Sequence, residues 1–170
     1  MLTEIVEKTK ERVEIAKNIL PLEEIKKEVS LLEISDEFPF KKALSEDEIS
    51  IIAEVKKASP SKGLIAEDFD YVAIAKDYES AGASAISVLT EHYFFQGSND
   101  YLEEIVENVS IPLLRKDFII DEYMIWEAKL LGASAILLIV SILDLVQLKN
   151  YLDLAHDLGL SAIVETHDAD

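Results

Sequence analysis

The sequence holds no cysteine. Disulfide bridges, thiolate metal sites and cysteine nucleophiles are therefore excluded at the outset. Positive charge is scarce as well. Sixteen lysines and arginines face 34 aspartates and glutamates, a formal net charge of −18 with a sequence pI near 4.4. Such a field repels polyanions and argues against nucleic acid or an anionic membrane as partner. It leaves room for a small anionic substrate if the few cations gather in one place. Long apolar runs are also missing: the longest, Ala135–Val140, is far short of the about 20 residues a bilayer span needs. The opening residues, MLTEIVEKTKER, are charged and amphipathic and lack the apolar core of a signal peptide, so the expected location is cytoplasmic. His92, His156 and His167 show no metal-ligand spacing and are expected as surface or satisfied side chains, with no metal site.

What remains is the composition of an ordinary globular chain. Its 170 residues are 49% hydrophobic and 29% charged, with a mean hydropathy of +0.15, enough for one domain with a sizeable core. Residues 1–48 read as an acidic helical extension: Leu2, Ile5, Val6, Val13 and Leu20 recur at helical spacing, and Pro21 opens a second segment through Ile25 and Val29. Eight of the 16 basic residues lie here, interleaved with acids, and read as a solvated helix face.

From residue 49 the texture changes. Short β-branched runs near 51–56, 85–90, 111–116, 135–140 and 161–165 alternate with stretches long enough for one helix each, at 70–81, 121–131 and 142–158. That alternation argues for βαβ units on a parallel sheet. Three junctions share the pattern G-x-S-A-I, at Gly82, Gly132 and Gly159. The pattern is either common helix-to-strand chemistry or a repeated architecture. Strand starts recur about every 27 residues and polar residues cluster at strand ends, which favours a (β/α)₈ TIM barrel over a doubly wound sheet. About five β/α units are present, so residues 49–170 are expected to form a partial, truncated barrel behind the N-terminal extra helices.

The stretch Ile51-Ile52-Ala53-Glu54-Val55-Lys56-Lys57-Ala58-Ser59-Pro60-Ser61-Lys62-Gly63 is the most informative. In a strand, Glu54 and Lys56 point to the same side. Taken alone, an E-x-K pair is more often an ordinary surface ion pair; at the inner end of a buried strand it carries more weight, because a charge buried unpaired is costly. The stretch resembles the signature of the indole-3-glycerol phosphate synthase family. Further segments match that family in order: Ile86–Glu91 with Phe94-Phe95-Gln96-Gly97-Ser98, then Ile111–Phe118, then Gly132–Val140 and Ile163-Val164-Glu165.

The resemblance implies a cofactor-free carboxy-lyase of tryptophan biosynthesis. It would close the indole ring of 1-(2-carboxyphenylamino)-1-deoxyribulose 5-phosphate with loss of carbon dioxide and water. By the same resemblance Lys116 is the general acid toward the ketone, and Glu165 acts in the acid–base steps of dehydration. Lys56 contacts the substrate carboxylate, and Glu54 holds the cationic network. Ser59, Phe95 and Phe118 bind substrate, the two phenylalanines around its ring. Lys56, Lys62 and Lys116 are expected to converge at one mouth. Strand alternation turns Arg115 away from that mouth, Asp117 reads as a structural ion pair with a lysine, and Tyr123 and Trp126 read as packing residues. The family's asparagine on the sixth strand, glutamate-serine-glycine on the seventh and phosphate cradle in the last loops have no counterpart in these 170 residues. A second reading therefore stands beside the enzyme: a non-catalytic barrel fragment that self-associates through open sheet edges.

Overall fold

Glycine in the left-handed region ends three helices and turns the chain into a strand, with φ of 89° at Gly82, 84° at Gly132 and 70° at Gly159. The computed structural model describes residues 1–45 and 49–167, so the junction expected near residue 48 lies outside the described residues. Five parallel strands run through the described residues: β1 (Ile52–Val55), β2 (Ala85–Leu89), β3 (Leu113–Lys116), β4 (Ala135–Ile139) and β5 (Ser161–Glu165). They lie side by side in the order in which they occur in the chain. A doubly wound sheet reverses its strand order partway; this one does not, which is the winding of a barrel.

The connecting helices are α4 (Tyr71–Ser80), α5 (Asn99–Val106), α6 (Glu122–Leu130) and α7 (Leu145–Asp157), preceded in the chain by α1 (Leu2–Ile19), α2 (Leu22–Ser30) and α3 (Pro39–Ala43). Side-chain oxygens of Asp70, Ser98, Asp121 and Asp144 accept from early backbone N–H groups of the four connecting helices, and Asp144 forms a reciprocal capping box with Gln147. These helices bury Ala75, Leu102, Ile105, Met124, Ile125 and Ala155 against the outward side chains of the sheet. The inward side chains of β2, β3 and β4 meet Phe40 of α3, which closes the floor of the sheet against Ala85, Leu114 and Ala135.

The extension packs on the barrel's outer helices. Both α1 and α2 contact α6, Tyr123 donates its hydroxyl to the Leu20 carbonyl at 3.0 Å, and Lys17 reaches Asp121 at 2.7 Å. The basic residues of this region are therefore not all a solvated face. Lys8, Lys10 and Lys27 are, but Lys17 and above all Arg12 cross to the barrel.

Other details depart from the sequence reading. Strand β3 begins only after Pro112, which has no N–H to give a ladder. Helix α5 and a small antiparallel hairpin, Ala58–Ser59 with Gly63–Leu64, were not anticipated. Among the described residues β1 and β5 are edge strands, with Ile52 and Val164 exposed at 38% and 40%. No helix among these residues is long and apolar enough to cross a membrane.

Candidate active site

Parallel register sets the site. Glu54 pairs in register with Ser87, Leu89 with Lys116, and Ile139 with Glu165, so the polar ends of β1, β3 and β5 rise to the same rim. Just past β1, the Lys56 ammonium donates to Glu54 Oε1 at 2.5 Å, both side chains about one-third exposed. The spacing of two had already put them on one side. Tyr78 of α4 donates to the Glu54 carbonyl at 3.3 Å and so holds the strand end.

The end of β3 alternates with more at stake. Arg115 turns outward and is almost wholly buried, donating to Thr90 Oγ1 (3.2 Å), the Met124 carbonyl (2.7 Å), Asn99 Oδ1 (3.1 Å) and Glu127 Oε2 (2.5 Å). Asp117 also turns outward, and its partners are arginines rather than the expected lysine. Arg12 of α1 grips its carboxylate with two bonds, and Thr90 Oγ1 donates to it at 2.6 Å. Burial alone would raise the Asp117 pKa; the charges of Arg12 and Arg115, with the Arg12 and Thr90 hydrogen bonds, outweigh it and hold the carboxyl below its ordinary range. With 115 and 117 anchored outside, Lys116 and Phe118 face inward.

Six side chains thereby share one cavity of about 260 Å³: Glu54, Lys56, Phe95, Lys116, Phe118 and Glu165. Leu89, Leu137 and Ile139 form its apolar floor. The rings of Phe95 and Phe118 stand 6.1 Å apart at an interplanar angle of 37°. Ser59 and Lys62 line an adjoining cavity of about 690 Å³ that shares Lys56, Phe95 and Phe118 with the first. The two adjoining cavities thus take in all seven residues singled out for the site, with Lys56 and Lys116 lining the first and Lys56 and Lys62 the second.

The histidines divide. His156 stacks on Phe38 with ring centroids 4.9 Å apart, remote from the mouth, and His92 sits exposed in the loop after β2. His167 lines the larger cavity and lies 3.3 Å from Glu165, which the spacing argument had passed over. Tyr123 is buried in the core, and Trp126 packs against it with Lys26 over its ring, consistent with packing roles. Among the described residues no group of three or more His, Asp or Glu side chains is arranged to hold a metal ion. Arg12, which grips Asp117, and Glu91, whose carboxylate accepts from three backbone N–H groups of the loop after β2, were given no site role by the sequence.

A sheet wound in chain order, with lysines and carboxylates gathered at its carboxyl end, defines a protein of the β/α-barrel class. The fold is matched by an archaeal ribulose 1,5-bisphosphate carboxylase/oxygenase, with a TM-score of 0.51 at 19% identity over 80% of this chain and 35% of that one. The model of the indole-3-glycerol phosphate synthase family matches residues 2–170, and the chain belongs to that family. An indole-3-glycerol phosphate synthase of Ruminiclostridium cellulolyticum is 53% identical over 168 residues, covering 99% of this chain and 65% of that protein. One from Lachnoclostridium phytofermentans is 50% identical, covering 99% of this chain and 66% of its own length. One from Leuconostoc mesenteroides is 55% identical over 149 residues, covering 86% and 57%. The chain thus spans about two thirds or less of the curated relatives it matches.

Proposed function

We propose that this chain carries the acid–base site of an indole-3-glycerol phosphate synthase working in the cytoplasm on a small phosphorylated substrate. The observation that supports this most directly is the meeting of Lys116, Glu165, Glu54 and Lys56 with two phenylalanines in one cavity. The substrate's anthranilate ring lies between Phe95 and Phe118, and Ser59 contacts it from the first loop. Lys56, held by Glu54, faces the ring carboxylate. Lys116 protonates the ketone oxygen as the ring carbon bearing the carboxylate attacks the ketone carbon. A carbon–carbon bond forms, the ketone becomes a hydroxyl, and the positive charge left on the ring makes it an electron sink. Loss of carbon dioxide returns the bonding electrons to the ring. Glu165 then serves the proton transfers that expel the hydroxyl as water and complete the indole. No cofactor enters any of these steps.

Purified chain mixed with the substrate should develop indole fluorescence, and Lys116→Ala should remove the signal. Equal turnover from a folded Lys116→Ala variant would overturn the assignment.

The exposed edges of β1 and β5 favour a second reading, a non-catalytic module that pairs with its own copies. Sedimentation separates the two. Under that reading the protein gives no product and runs as an oligomer that Val164→Lys dissociates.

A further inference from the structure

Glu91 follows β2 and takes no part in the chemistry above, yet its side chain is fully buried. A buried carboxylate persists only where donors replace its hydration. Here three consecutive backbone N–H groups do so: Tyr93 donates to Oε1 at 3.0 Å, and Phe94 and Phe95 donate to Oε2 at 2.7 and 3.0 Å. The same residue's carbonyl accepts from the Gly97 N–H at 2.7 Å, closing the loop 91–97. Gly97 is needed for that closure, because a Cβ there would sit 2.4 Å from the Leu89 carbonyl oxygen and 2.8 Å from that of Glu91. Gln96 completes the turn in the left-handed region, at φ 52°.

The loop's product is the position of one ring. Phe95 is held by its own amide on Glu91 and by the Gly97 closure two residues later, and it stands opposite Phe118. Phe118 is fixed in the same manner, its N–H donating to the buried Asp117 carboxylate at 2.8 Å. Both aromatic walls of the cavity therefore hang from buried carboxylates that lie behind them.

We infer that Glu91 is a positioning residue: its carboxylate folds the 91–97 loop so that Phe95 faces Phe118, and this sets affinity for the planar aromatic end of the ligand. The ligand's identity rests on the function proposed above; the positioning rests on the loop alone.

The test uses Glu91→Ala and Glu91→Gln in the full chain, the latter keeping the volume and one acceptor oxygen. Amide hydrogen exchange at Phe94 and Phe95 should quicken about tenfold or more in Ala and less in Gln, while Ile86 and Val88 keep their protection. In turnover, KM should rise about tenfold with kcat within about twofold, and adding Phe95→Ala should raise it no further. Unchanged exchange at Phe94 and Phe95 in folded variants would overturn the inference, as would a fall in kcat at constant KM or an effect additive with Phe95→Ala. If the wild type makes no indole product, the substrate reading fails by itself, and the exchange rates still decide the role of Glu91.

Discussion

Arg12 on the first helix and Asp117 at the end of β3 are joined by two parallel hydrogen bonds, of 2.9 and 2.7 Å, across 105 positions of sequence. The same guanidinium donates to the Thr90 carbonyl at 3.1 Å. The carboxylate is inaccessible and the Arg12 side chain is 21% exposed, so solvent screens the pair little. Removing one member of such a pair leaves a buried charge short of a partner. Arg12→Met should therefore lower stability by about 3 kcal/mol in urea unfolding, with Arg115 at 3.8 Å from Asp117 compensating part of the loss. A loss below about 0.5 kcal/mol, the surface-pair range, would contradict this.

The depressed pKa of Asp117 has a pH signature. A carboxyl whose folded pKa lies below its unfolded value, about 3.9, adds stability that is fully present above that value. The contribution is lost as pH falls through the lower, folded pKa. Wild type should therefore lose more stability than Asp117→Asn between neutrality and about pH 2. Parallel stability curves for the two across acid pH would show that the arginines do not hold the carboxylate charged.

Neighbouring residues of β3 should separate function from stability. Lys116→Ala should cut turnover about 10²- to 10⁴-fold, the range for loss of a positioned proton donor, with little change in melting temperature. Arg115→Ala should do the reverse, unfolding the protein more easily because Glu127 and Asp117 lose a buried counter-charge. If Arg115→Ala melts like wild type, the outward orientation of that side chain is wrong.

Two glycines with similar backbone angles should respond differently to alanine. Gly82, at φ 89°, has open space where a Cβ would stand, so Gly82→Ala should cost only the left-handed strain of about 1–2 kcal/mol. At Gly159, φ 70°, a Cβ would lie 2.4 Å from the Ser35 carbonyl oxygen. Backbone must move there, adding about 1–3 kcal/mol. Equal losses in denaturant titrations would remove the close contact between the α7–β5 turn and the linker before α3.

The barrel strands were legible where local chemistry repeats. The G-x-S-A-I junctions led to strands near 85–90, 135–140 and 161–165, and these occupy Ala85–Leu89, Ala135–Ile139 and Ser161–Glu165. Helix α5 was not legible, being eight residues long and opened by Ser98 at the end of a loop-like stretch. The pairing of Glu54 with Lys56 followed from a spacing of two, and the outward turn of Arg115 from strand alternation. Arg12 was read as one more charge on a solvated helix because its partner is remote in sequence and no local pattern records it. Glu91 closes the Ile86–Glu91 match but carried no role, since its partners are backbone amides, which every residue but proline has.

The packing of α1 and α2 on α6 also sets a timetable. These helices leave the ribosome before the barrel does, and Asp117, Asp121 and Tyr123, which receive them, emerge about 100 residues later, roughly 5–20 s at ordinary rates of synthesis. Through that interval Val13, Ile25 and Val29, buried in the finished fold, have no surface to meet. The extension is thus made well before the surface that receives it, a clasp that cannot close until the end of β3 and the start of α6 have emerged. Nascent chains arrested before residue 117 should present those apolar stripes to chaperones, and chains arrested well beyond α6 should not.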